Sequence, residues 1–192
     1  MQKAVFFDRD GTLIDLVPYL TDPADVVVAE GGLTALERLR DAGFALVVVT
    51  NQSAIGRGLL DEAGLARIHA VMEERLVEGG TQIDGIYHCP LAPIGSDPTV
   101  IENVERKPGP GMLLRAAKDL EIDLGLSFMV GDNVSDVLAG RHAGCRGNIL
   151  LRTGHGQQTE KEYGGIFRES SDRIVDDLAS AVDLILECDQ ST

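Results

Sequence analysis

Four groups of polar residues along the chain have the types and spacing for chemistry on an anionic ester. Asp8 and Asp10 stand two apart, directly after the apolar run Ala4–Phe7. In an extended chain alternate side chains point the same way, so both carboxylates face one site. Two carboxylates that close resist joint ionisation unless a cation or a shared proton intervenes. Gly11 lets the chain turn away at once. Taken alone, this pair is equally readable as a solvated Asp-Gly turn. It does not fit a helix-loop-helix calcium loop: Gly11 comes too early, and Tyr19 stands where the bidentate Glu belongs.

Asp132 follows Gly131 at the end of a second apolar run, and Asp136 lies one helical turn further on the same face. Asp132 by itself suits a helix N-cap. Beside Asp8 and Asp10 it suits a hard-cation site of the Mg²⁺ type. Thr50-Asn51-Gln52 offers a hydroxyl and amides that either donate to phosphoryl oxygens or cap a turn. Arg106-Lys107-Pro108 places two cations just before a helix, and a phosphoryl transition state needs positive charge around its equatorial oxygens.

The elements that must position these groups follow from the hydrophobic pattern. Ala4–Phe7, Phe44–Val49, Ile83–His88, Phe128–Val130 and Asn148–Leu151 read as short buried strands. Helices are expected over Gly32–Ala42, from Asp61 to Gly79, over Pro110–Leu120 and over Val134–Ala143, each with apolar residues at helical spacing. A final helix is expected over about 172–187. Strand and helix in alternation imply an α/β fold, a three-layer Rossmann-like parallel sheet. Ligands of such sheets sit beyond the carboxyl ends of the strands. Asp8, Thr50-Asn51 and Asp132 all stand at predicted strand ends. Residues 89–110 hold five prolines and no helical period, an irregular loop of functional length. Thr153–Gln157 is expected to be a mobile segment with an exposed His155.

The four groups, in this order, resemble the four motifs of the haloacid dehalogenase (HAD) superfamily. Asp8-Arg9-Asp10-Gly11-Thr12, Thr50-Asn51-Gln52-Ser53 with Arg57-Gly58, and Arg106-Lys107-Pro108 resemble the subgroup of heptose 1,7-bisphosphate and histidinol-phosphate phosphatases. The resemblance implies a HAD-like domain over 1–192 without a large cap domain. It implies Asp8 as nucleophile and Asp10 as general acid, then base. It implies Mg²⁺ held by Asp8, the Asp10 carbonyl and Asp132, and a phosphoryl group gripped by Thr50, Asn51 and Lys107. Asp136 would orient Lys107 or a metal-bound water, and Ser53, Arg57 and Arg106 would contact the substrate beyond its phosphate. Heptose bisphosphate is the first expected substrate and histidinol phosphate the second, with a non-catalytic phosphate-binding protein as a reading of another class. Many members of the subgroup carry a structural zinc in the loop before Arg-Lys-Pro. Of those four ligand positions only Cys89 keeps its residue; Leu91, Asn103 and Glu105 occupy the others, so no zinc is expected.

Composition sets outer limits. The 192 residues are 44% hydrophobic and 25% charged, as in a globular domain. A net charge of −14 disfavours nucleic acid and anionic membrane as partners, and leaves a small phosphorylated metabolite that must find its own positive charge in the site. No apolar run approaches the roughly 20 residues that cross a bilayer. Met1–Phe7 meets Asp8 too soon for a signal-peptide core, and three scattered cysteines suit a reducing compartment. A cytoplasmic monomer is expected.

Overall fold

The computed structural model of the chain describes residues 1–190. Its strands are β1 (Ala4–Phe7), β2 (Ala45–Asn51), β3 (Gly85–Cys89), β4 (Phe128–Gly131), β5 (Gly147–Leu151) and β6 (Asp172–Val175). Its helices are α1 (Gly32–Asp41), α2 (Ser53–Gly56), α3 (Glu62–Glu78), α4 (Gly111–Asp119), α5 (Val134–Ala143), α6 (Gly156–Tyr163) and α7 (Leu178–Gln190). The strands form one sheet in the order β3-β2-β1-β4-β5-β6, every pair parallel.

Period-two alternation divides the core between the two faces of this sheet. Val5, Phe7, Leu46, Val48, Val130 and Ile149 pack on one face against Leu36 and Leu39 of α1, Ile68 and Met72 of α3, and Val182 and Ile185 of α7. Ala4, Phe6, Val47, Val49 and Met129 pack on the other against Met112 and Leu113 of α4 and Ala139 of α5. Both faces are covered, so strands with continuous apolar runs are what the architecture requires. Local signals set the helix ends. The Asp61 carboxylate accepts from the Gly64 amide at 2.6 Å to start α3, and Gly144 takes a left-handed φ of 86° to end α5.

The chain winds outward from β1 to β2 and β3, then crosses to β4 on the other side of β1. The connections leaving β1 and β4 therefore diverge, and a crevice opens at their carboxyl ends. Asp8 and Asp132 sit at that divergence.

Two expectations need correction, and one short helix was not expected. The segment expected as a single helix over 172–187 is strand β6 followed by α7. The Asp172 carboxylate is buried and accepts from Arg141 and from Asn148 Nδ2, which pins this stretch beside β5. The helix begins only after Asp177, whose side chain accepts from the Ser180 amide at 2.8 Å. Thr153–Gln157, expected to be mobile, is instead tied to the site and runs into α6. Ser53–Gly56 forms a short helix that the apolar pattern gave no reason to expect. The irregular loop expected over 89–110 begins one residue later, since Cys89 ends β3, and residues 90–110 hold no helix or strand; Ser191 and Thr192 lie outside the described residues.

Candidate active site

At the carboxyl edge of the sheet lies a cleft of about 560 Å³, lined by Asp8, Asp10, Thr50, Asn51, Arg57, Arg106, Lys107, Asp132 and Asp136, among others. Lys107 is at its centre. Its ammonium lies 2.9 Å from Asp8 Oδ1 and 2.7 Å from Asp136 Oδ1, and donates to the Val49 carbonyl at 2.7 Å. One of its contacts is thus a hydrogen bond to main chain and the other two are ion pairs with carboxylates. Burial works against the Lys107 charge, yet the Asp136 and Asp8 carboxylates beside it raise its pKa above the ordinary lysine value.

Asp8, Asp132 and Asp136 each present an oxygen within 4.8 Å of the others. One ammonium does not balance three carboxylates. The Asp132 carboxyl is accordingly pushed up to about 8, first by burial and then by the charges of Asp8 and Asp136. Burial likewise raises Asp136, although Lys107 pulls against it. This excess of buried negative charge, carried on oxygen donors, fits a hard divalent cation. The alternative of Asp132 as an N-cap is settled by its neighbour. Asn133 caps α5 instead, with Asp136 Oδ2 accepting from the Asn133 amide at 2.9 Å in a capping box.

Asp10 shares the cleft, but its carboxylate lies outside the three-carboxylate cluster. Arg9 is 1% exposed and turns back on it, donating to both Asp10 oxygens at 2.9 Å. Gln52 Nε2 donates to Asp10 at 3.0 Å and to Thr50 Oγ1 at 2.9 Å. Arg9 is a neighbour of the site that strand alternation did not single out, whereas Gln52 belongs to the Thr50-Asn51-Gln52 group. The signal was there in an arginine set between two carboxylates, but alternation would aim it away from them. Asn51 donates to the Lys107 carbonyl at 3.0 Å and accepts from the Lys107 amide at 3.1 Å, so both ends of its side chain hold the main chain of Lys107. Arg57 and Arg106 line the outer cleft, whereas Ser53 opens α2 and does not line it. Arg106 donates to the Leu91 carbonyl at 2.7 Å, and Glu102 accepts from the amides of Ile94 and Gly95 across the same loop.

Known proteins resemble this chain over most of its length. A D-glycero-beta-D-manno-heptose-1,7-bisphosphate 7-phosphatase of Pasteurella multocida is 42% identical over 80% of this chain and 84% of its own. One from Haemophilus influenzae is 41% identical over 92% and 95%. The chain belongs to the HAD superfamily of phosphatases, in the heptose bisphosphate phosphatase branch. A family description, HAD-hydrolase-like, matches residues 104–181 of this HAD phosphatase. The crystal structure of the D,D-heptose 1,7-bisphosphate phosphatase from B. bronchiseptica, complexed with magnesium and phosphate, superposes on it with a TM-score of 0.84. That pair is 33% identical, covering 96% of this chain and 98% of the other. This HAD phosphatase hydrolyses phosphate monoesters, and none of its described helices is long and apolar enough to cross a membrane.

Proposed function

We propose that this phosphatase removes the 7-phosphate of a D-glycero-D-manno-heptose 1,7-bisphosphate, with Mg²⁺ and through an aspartyl-phosphate on Asp8. The observation that carries the reading is the buried Lys107 ammonium, 2.9 Å from Asp8 and 2.7 Å from Asp136, in a carboxylate cluster completed by Asp132. Asp8 and Asp132, with the Asp10 carbonyl, would hold Mg²⁺. When bound, the ion supplies the positive charge that lets an anionic ester approach the Asp8 carboxylate.

An Asp8 oxygen attacks phosphorus, and the bond from phosphorus to the ester oxygen breaks. Asp10 gives its proton to the departing oxygen. It then takes one from the water that attacks the aspartyl-phosphate, which releases inorganic phosphate and restores Asp8. The bonds from Arg9 and Gln52 keep Asp10 at its post for both transfers. Both oxygens of Asp136 are engaged, with Lys107 and with the Asn133 amide, so Asp136 orients the lysine. The cleft is larger than one phosphate needs, and Arg57 and Arg106 on its outer wall suit a second anionic group on the substrate.

The decisive assay is phosphate release with Mg²⁺ from heptose bisphosphate and from histidinol phosphate, for the parent and Asp8→Asn. The parent should prefer the heptose bisphosphate, lose activity in EDTA, and be inactive as Asp8→Asn. Turnover by Asp8→Asn at the parent rate would sink the mechanism; a preference for histidinol phosphate would sink the substrate assignment.

A further inference from the structure

The turn that follows β5 belongs to none of the four motifs, yet it touches two of them. Thr153 Oγ1 donates to the Gly11 carbonyl at 2.7 Å, and so holds the turn just after Asp8 and Asp10. Two residues on, the His155 amide donates to Asp132 Oδ2 at 2.7 Å. In the first turn of α6 the buried Thr159 hydroxyl donates to the Asp132 carbonyl at 3.1 Å. Gly154 lies between these contacts with a φ of 51°. A Cβ at Gly154 would collide with Asp132 Oδ2 and with the Cα of Gly11, and a Cβ at Gly11 would collide with the same carboxylate. The Asp132 carboxylate thus sits in a slot with two glycines for walls and a main-chain amide as partner. Arg152 anchors the stretch from outside, bonding Glu160 at 2.7 and 2.8 Å and Asp176 at 2.6 Å.

Asp8 and Asp132 come from different strands, and the connections that follow those strands diverge. Their separation depends on whatever spans the gap, and metal affinity depends on how well ligands are held before the ion arrives. We propose that Thr153–Thr159 is a positioning clamp that keeps the Asp132 carboxylate in register with the Asp8–Gly11 turn, and thereby sets the affinity of the site for Mg²⁺. The inference rests on the reading that Asp8 and Asp132 hold that ion. Thr153 and Thr159 act through the main chain of the motif residues.

The test is a Mg²⁺ titration of the metal-free chain followed by thermal unfolding, on the parent, Thr153→Val, Thr153→Ser and Thr159→Val. Valine keeps the shape of threonine and removes the donor, which avoids the collision that Gly154→Ala would force. The half-saturating Mg²⁺ concentration should rise roughly tenfold or more in both valine variants, the usual cost of losing a partner behind a metal ligand. Thr153→Ser should stay near the parent, and KM at saturating Mg²⁺ should stay within about twofold, since neither Thr153 nor Thr159 lines the cleft. Valine variants that lose equal Tm with and without Mg²⁺, at an unchanged half-saturating concentration, would overturn the clamp alone. A parent that gains no Tm from Mg²⁺ would overturn the metal reading and the clamp together.

Discussion

At the scale of the residue, Lys107 is the group on which the site turns. It is 2% exposed, its charge is held between Asp8 and Asp136, and its main chain is fixed by Asn51. Lys107→Met keeps most of the side-chain volume and removes the charge. Phosphate release should fall at least about a hundredfold, the scale seen when one preorganised charge-stabilising donor is lost. Three carboxylates would then share the pocket with no internal cation. The metal-free variant should lose about 3 kcal/mol of stability to urea, in line with stripping one partner from a buried ion pair. Mg²⁺ should return part of that loss. Equal urea midpoints for parent and variant without Mg²⁺ would show that the carboxylates do not depend on this ammonium.

At the scale of the element, β6 is held by one buried side chain. Asp172 joins Arg141 on α5 and Asn148 on β5, and no aromatic or large aliphatic residue of β6 is fully buried. Asp172→Ala should cost about 3 kcal/mol in urea unfolding, because it strips the carboxylate from the Arg141 guanidinium, which keeps only the Ile166 carbonyl, and the acceptor from the Asn148 amide. The kcat of the folded fraction should be unchanged, since Asp172 pairs with Asn148 near the amino end of β5 and neither lines the cleft; a fall in kcat would tie β6 to the site. The same elements mark what could be read in advance. Val47–Val49 and Phe128–Val130 are apolar on both faces, so their strand character and the polar residues at their ends were legible from pattern alone. Asp172–Val175 carries only Ile174 and Val175, and the Leu178, Val182 and Ile185 stripe drew the predicted helix back across it. The turn at Thr153–Gln157 read as mobile because two glycines without apolar neighbours signal a loop. Its order comes from hydrogen bonds to Gly11 and Asp132, which are distant in sequence and carry no local signature. Arg9 was hidden for a similar reason: the chain leaves the strand at Asp8, so alternation no longer says where the next side chain points.

At the scale of the whole molecule, stability against acid depends on a group that takes no part in the chemistry. His69 of α3 is half-buried against the Asp8–Asp10 turn's arginine, and its Nε2 has no hydrogen-bond partner. Burial first, then the charges of Arg9 and His88, push its pKa from 6.5 down to about 3. In the unfolded chain it titrates near its ordinary value. Below that value the unfolded state takes up a proton that the folded state refuses, so protonation favours unfolding. The contribution is therefore complete above about pH 6.5 and is lost as the pH falls toward 3. Each unit in the middle of that window costs about 1 kcal/mol. Asp132 and Asp136, with raised values, act in the opposite sense when no cation is present, so the measurement belongs in saturating Mg²⁺. Urea unfolding of the parent and His69→Leu at pH 7.0, 6.0 and 5.0 isolates the histidine, because every other titrating group is common to both. The parent should lose stability faster than the variant over that range, with the difference growing by about 1 kcal/mol between the two lower values. Parallel losses would mean that His69 takes up its proton in the folded chain, which requires α3 to move away from Arg9 and expose the ring.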